Sequence, residues 1–141
     1  VLATLGLPAS RVQDVQWIDN GPGWVGALLA SGDDVLALRP DFAAMGELKL
    51  GVAGPYPAGS ACAFEVRAFV PSLGVKEDPV TGSLNAGFAL WLIDAGIAPA
   101  SYVAAQGAAL GRAGRVHVQR DGADTWIGGA TTLVVDGSVR L

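Results

Sequence analysis

Short runs of alternating apolar and polar residues fill most of this chain, and one segment departs from that rhythm. Residues 84–95 read LNAGFALWLIDA, with Leu84, Phe88, Ala89, Trp91, Leu92 and Ala95 apolar at the three-to-four-residue spacing of a helix. Asn85 and Asp94 are the only strongly polar residues there, so the pattern predicts a helix over 83–95 that is buried almost all round. Gly96 closes it as a left-handed cap, with Pro99 beyond. Strands are predicted at 15–18, 25–30, 35–38, 48–53, 61–70, 102–105, 115–119, 125–127, 132–135 and 139–141. Turn signals such as Asn20-Gly21-Pro22-Gly23, Ser31-Gly32-Asp33 and Arg120-Asp121-Gly122 separate them. One helical turn is expected over 40–45, and a short helix ending at Ser10. A helix that is apolar all round must be enclosed. The expected fold is therefore α+β and barrel-like, a strongly curved, mostly antiparallel sheet wrapped around one central helix whose start opens at one rim.

The chemistry of interest lies at that start, in Glu77-Asp78-Pro79-Val80-Thr81-Gly82-Ser83. The first-turn N–H groups of a helix need acceptors, which the hydroxyl of Thr81 or Ser83 can supply. The same groups, with the positive end of the helix dipole, bind a carboxylate or phosphate that reaches them, and Gly82 lets a ligand approach closely. Pro79 keeps Asp78 out of the helical region, where its carboxylate can accept a hydrogen bond from an amine or hydroxyl, or carry a proton. The plain alternative is that these are capping residues, which begin most helices and bind nothing.

At 141 residues, 51% apolar and 16% charged, the chain is expected to be one domain with a well-buried core. Its net charge is −4 and its basic residues are scattered, which argues against a nucleic-acid partner. No apolar run approaches the roughly 20 residues that cross a bilayer, and the first segment lacks the basic start and cleavage site of a signal peptide. A soluble, cytoplasmic protein without membrane association is expected. The chain opens at Val1 instead of Met, which points to sequence upstream of it. The single Cys62 and single His117 exclude a disulfide framework and a metal-ligand cluster. Cys62 reads as a small buried residue and His117 as a surface strand residue. Gly21-Pro22-Gly23-Trp24-Val25-Gly26 imitates a dinucleotide fingerprint, but the distance to the next strand is too short for a helical crossover, and Trp24 and Val25 suit a strand.

Several strings are familiar together: Arg67-Ala68-Phe69, Gly74-Val75-Lys76 leading into the Asp78 loop, Ala105-Gln106-Gly107, Gly111-Arg112, Gly114-Arg115-Val116, Ile127-Gly128-Gly129-Ala130 and Val135-Asp136-Gly137. With Asn20-Gly21-Pro22 ahead of a strand, the chain resembles the phenazine-biosynthesis isomerase (PhzF-like) family along essentially its whole length. That resemblance implies a diaminopimelate-epimerase-like fold of two lobes with the active site in the cleft between them, and it places residues 1–141 as the C-terminal lobe. The family's catalytic glutamate and glycine-histidine pair belong to the N-terminal lobe, which these residues do not resemble. By the same resemblance, Asp78 contacts the substrate's polar groups, Ser83 lies beside its carboxylate and Gly82 supplies a backbone N–H; no catalytic residue is assigned to this lobe. In related epimerases a cysteine stands at this helix start. Here Gly82-Ser83 stands there and Cys62 is distant, which disfavours two-thiol chemistry. Leu84-Asn85 departs from the small residue and histidine or asparagine that follow the serine in many members.

The implied reaction is cofactor-independent proton transfer on a small amino-acid-like or cyclic carboxylate. Arg67, Gln106 and Arg112 either add polarity at the rim or are structural. The implied partners are that small-molecule substrate, an N-terminal lobe or second chain that completes the site, and a second copy in a homodimer. Two competing readings are a non-catalytic binding or oligomerisation module using the exposed cleft face, and an inactive remnant.

Overall fold

The apolar segment forms α3 (Gly82–Asp94), the longest helix of the computed structural model, which describes residues 2–140. Gly96 has the positive φ of a left-handed cap, +70°, as its position predicts. Leu84, Phe88 and Leu92 recur on one face and are buried, each contributing about 1.5–3 kcal/mol by removal from water. They pack on a sheet of eight strands: β1 (Val12–Trp17), β2 (Trp24–Leu29), β3 (Lys49–Pro55), β4 (Phe64–Val70), β5 (Val75–Asp78), β6 (Ser101–Gln106), β7 (Gly114–Asp121) and β8 (Asp124–Gly128). The order is β1-β2-β3-β4-β6-β7-β8, with β5 joined to β4 off that path. Only the β2–β3 and β4–β6 pairs are parallel, so the sheet is mostly antiparallel as expected.

The barrel expectation needs correction. The sheet curves enough for α3 to touch both β2 and β8, yet β1 and β8 do not pair and the sheet is open. The helix is accordingly not enclosed: Leu84, Asn85, Gly87, Phe88, Ala89 and Leu92 are buried, while Gly82 is exposed, Leu90 is 41% exposed and Asp94 faces solvent. The hydrophobic spacing in 84–95 fixed the helix but could not show that its last turn has an open side.

Three further expectations fail for identifiable reasons. Residues 35–38 are not a strand but lie in and just after helix α2 (Gly32–Ala37). Ser31 caps it, accepting from the Asp34 N–H at 3.1 Å and donating to the Asp34 carboxylate at 2.8 Å, a capping signature that outranks a four-residue apolar run. The strands predicted at 132–135 and 139–141 do not form through residue 140; Leu141 lies outside the described residues. Finally, 40–45 makes no helix, only turns, and the start of the chain has α1 (Leu2–Leu5) and a separate single turn at Ala9–Arg11.

Side chains alternate across β4. Phe64, Val66, Ala68 and Val70 join α3 in one core, whereas Phe69 joins Leu29, Val35, Leu38 and Leu50 in a second core under α2. Gly87 lets α3 settle directly on the chain after β1, since a β-carbon there would lie 2.4 Å from the Ile18 carbonyl oxygen. Gly87→Ala is expected to lower stability by about 1–2 kcal/mol, because overpacking against backbone exceeds the roughly 1 kcal/mol that alanine gains in a helix. Urea unfolding checks this. A stabilised variant would show that α3 can slide.

Candidate functional site

β4 holds β6 along 64–66 and β5 along 68–70 on the same edge. Asp78, at the end of β5, pairs with Ala68, and Gln106, at the end of β6, pairs with Val66, so the two strand ends converge. Pro79 then stops β5, and the chain turns into α3. β5 itself was not anticipated, because Lys76, Glu77 and Asp78 are poor strand formers; burial of Glu77 against Arg67 overrides that preference.

The junction is knitted by Gln106, 1% exposed. Its Oε1 accepts from the Thr81 N–H at 3.0 Å and from Asn85 Nδ2 at 2.9 Å. Its Nε2 donates to the Asp78 carbonyl and to Thr81 Oγ1, both at 3.0 Å. Thr81 Oγ1 in turn donates to Asp78 Oδ2 at 2.6 Å. The threonine hydroxyl therefore orients the aspartate and does not cap α3, whose first turn has no side-chain cap.

Ser83 is the second correction to the capping expectation. Its Oγ accepts from the indole Nε1 of Trp24 at 3.0 Å. An indole N–H can only donate, so the serine's own proton remains free to point at an acceptor. Asn20 secures the same residue by donating from Nδ2 to the Ser83 carbonyl at 2.9 Å, and Asp19 Oδ1 folds the preceding loop by accepting from the N–H groups of Gly21 and Gly23.

Asp78, Thr81 and Ser83 line one cavity of about 300 Å³, along with Trp24, Lys49 and the apolar Val70, Leu73 and Val75. The structure thus brings Asp78 and Ser83 to one cavity, while Gly82, exposed at the helix start between them in the chain, is not in its lining. Trp24 and Lys49 were missed. They are direct partners across the parallel β2–β3 pair, and Lys49 Nζ donates to the Pro22 carbonyl at 2.6 Å. The available signal was a lone charge inside the apolar strand 48–53. The cavity offers the Asp78 carboxylate, the Ser83 hydroxyl proton and the Lys49 ammonium beside the start of α3, which has no side-chain cap. That arrangement complements a small molecule with an anionic end and a donor group.

The residues left open by the sequence divide. Gln106 is structural beneath the site. Arg67 is buried on the opposite sheet face, paired with Glu77, and Arg112 lines a different cavity. Cys62 is buried and free, and His117 is exposed on β7, both as expected. Among the described residues no group of three His, Cys, Asp or Glu side chains could hold a metal ion, and no helix is long and apolar enough to cross a membrane. The glycine-rich imitation of a dinucleotide fingerprint is a loop running into β2, as Trp24 and Val25 predict.

Residues 2–137 match the family described as phenazine biosynthesis-like protein. The chain belongs to that family. An uncharacterized isomerase of Pseudomonas aeruginosa is 35% identical over 114 residues, covering 81% of this chain and 42% of the relative. The uncharacterized isomerase YddE of Escherichia coli is 34% identical, covering 60% of this chain and 32% of its own. A PhzF-family crystal structure from Enterococcus faecalis superimposes with a TM-score of 0.72 at 25% identity, over 99% of this chain and 50% of that one. One from Clostridium difficile gives 0.63 at 27% identity, over 84% and 45%. This PhzF-like chain therefore spans half or less of the length of each of these relatives.

Proposed function

We propose that this chain is the C-terminal lobe of a two-lobed, cofactor-independent isomerase, and that Asp78, Gly82 and Ser83 form the half-site for the substrate's polar groups. The substrate is a small amino-acid-like or cyclic carboxylate. Its carboxylate meets the Ser83 hydroxyl, the Gly82 end of α3 and the Lys49 ammonium, while its amine or hydroxyl donates to Asp78. The observation that carries this reading is Ser83 itself: Trp24 occupies its acceptor side and so leaves its proton to a ligand, at an uncapped helix start facing a fixed carboxylate. The isomerase names of the relatives and the partial span of this chain support a role completed elsewhere. In this reading the proton is moved by a glutamate of the N-terminal lobe, supplied by the same natural chain or a second one, in the cytoplasm.

The test is exchange of substrate C–H for deuterium in heavy water, across a panel of small amino and hydroxy carboxylates, with this lobe alone and joined to its N-terminal lobe. Exchange is expected only in the joined protein. Ser83→Ala and Asp78→Asn are each expected to lower kcat/KM about 10–10²-fold, because the first removes a donor to the substrate carboxylate and the second the charged acceptor of its amine or hydroxyl, and a hydrogen bond to a charged group contributes about 1.5–3 kcal/mol. Full exchange by this lobe alone, or a joined Ser83→Ala protein with unchanged kcat/KM, would overturn the assignment.

A second reading, an oligomerisation or binding module, is favoured by exposed apolar residues on several elements: Trp17 is 67% exposed, Leu73 64% and Trp126 64%. Sedimentation separates the two. A monomer at micromolar concentration that exchanges protons only with the other lobe present removes this alternative.

A further inference from the structure

A second cavity, of about 360 Å³, lies on the sheet face opposite α3 and is lined by Tyr56, Cys62, Glu65, Ala105, Arg112 and Arg115, among others. Glu65, Ala105 and Arg115 are successive partners across β4, β6 and β7, so their side chains rise from the same face. Ala105 between them is small, which leaves an open interval of roughly 10 Å between the backbones of the acid and the arginine. Alternation puts them on the side away from the α3 core, where neighbouring Phe64 and Val66 point, and away from the Asp78 cavity.

Glu65 is anomalous. It is 1% exposed, and its Oε2 accepts from the Tyr56 hydroxyl at 2.9 Å, but Oε1 is the one buried side-chain polar atom among the described residues with no hydrogen-bond partner. Arg67, on the same strand face, directs four of its five N–H donors to Glu77 and two carbonyls and makes no hydrogen bond to Glu65. A buried acceptor without a donor costs about 1–3 kcal/mol, and more when charged. Desolvation raises the Glu65 carboxyl above its ordinary value, opposed by the Tyr56 hydroxyl and by the charges of Arg115 and Arg67. A cation delivered to Oε1 would relieve that burden. At the rim, among the described residues, Arg112 holds no ion pair and Arg115 donates only to the Gly114 carbonyl, so both guanidinium groups are available to an anion. One orphaned acid beneath two unpaired arginines is the charge pattern of a small zwitterion.

We propose that this cavity is a binding site for a small free α-amino acid, its ammonium group donating to Glu65 Oε1 and its carboxylate held by Arg112 and Arg115. The volume lies within the range of small-molecule sites. The site is independent of the half-site around Asp78, and Cys62 in its wall gives it a separate reporter.

The experiment uses the two-lobed protein, with glycine as the probe and the rate at which iodoacetamide labels Cys62, followed by peptide mass spectrometry, as the readout. Glycine is expected to slow labelling saturably. Methylamine and acetate, each carrying one of the two charges, should be at least about tenfold weaker, since a hydrogen bond to a charged group contributes about 1.5–3 kcal/mol. Glu65→Gln should weaken protection by a similar factor. Its amide oxygen still accepts from Tyr56 and it buries no charge, so the variant remains folded. The surface pair Arg112→Ala with Arg115→Ala should do the same without touching the core. Asp78→Asn with Ser83→Ala should leave protection intact, which keeps this outcome distinct from failure of the catalytic reading. No protection by glycine at about a thousand times a typical micromolar constant, equal protection by methylamine, or undiminished protection in Glu65→Gln would each overturn the proposal.

Discussion

Replacing Gln106 with leucine is expected to lower stability by about 3–5 kcal/mol, with the slope of urea unfolding unchanged. Leucine fills a similar volume, so the loss comes from polar groups and not from a cavity. The Thr81 N–H and one side of Asn85 Nδ2 lose their acceptor, and the Asp78 carbonyl and Thr81 Oγ1 lose a donor, with Thr81, Asn85 and Gln106 buried and Asp78 half-buried. Each buried group left unsatisfied costs about 1–3 kcal/mol, and the sum is reduced because Asn85 keeps the Thr81 carbonyl and Thr81 keeps Asp78. The orientation of the amide follows from the same network: turned over, its NH2 would face two donors. A loss under about 1 kcal/mol would mean that water replaces the amide, and that the β5–β6 junction is softer than its hydrogen bonds indicate. If Asp78 holds substrate as proposed, the variant should also weaken binding in the two-lobed protein, since Gln106 holds both the Asp78 carbonyl and the Thr81 hydroxyl that orients its carboxylate.

This dependence of Asp78 on Gln106 shows where sequence reading stops. The helix start, its flanking Asp78 and Ser83, and α3 itself were legible because each rests on residues adjacent in the chain: a periodic apolar run, a proline, a glycine cap. Gln106 was visible only as a polar residue at a strand end, with rim and structural roles equally open. Its position beneath Thr81 comes from β4 accepting two neighbours on one edge, a long-range pairing that no local pattern encodes. Trp24 and Lys49 were hidden for the same reason, being adjacent only across the parallel β2–β3 pair. The opposite error occurred at 35–38, where local capping chemistry at Ser31 and Asp34 was present in the sequence and an apolar tetrad was given more weight. The open sheet was missed because periodicity reports that a helix face is apolar, while the exposure of Leu90 depends on how far the sheet curls.

Arg67→Met is expected to cost about 3–5 kcal/mol, and Arg67→Met with Glu77→Leu to recover most of that loss. The arginine makes a bidentate pair with Glu77, Nε to Oε1 at 2.9 Å and Nη2 to Oε2 at 2.8 Å, and both side chains are nearly buried. Its Nη1 also donates to the Val35 and Leu38 carbonyls at the end of α2, at 3.2 and 3.0 Å, where a helix leaves acceptors unpaired. Methionine keeps much of the stem but gives up the guanidinium's seat over the Phe69 ring, and it strands a buried carboxylate and two carbonyls. Removing the acid as well takes away the charged group that dominates the deficit, so the double variant should retain only the cost of the α2 carbonyls. The cycle of single and double variants therefore measures coupling across β4 and β5. If coupling is large, the pair is what holds a strand as polar as Val75-Lys76-Glu77-Asp78 against the sheet, and with it the backbone that carries Asp78 to the cavity. Coupling under about 1 kcal/mol, the value of an exposed pair, would mean that β5 is held by its ladder alone and that the arginine serves α2.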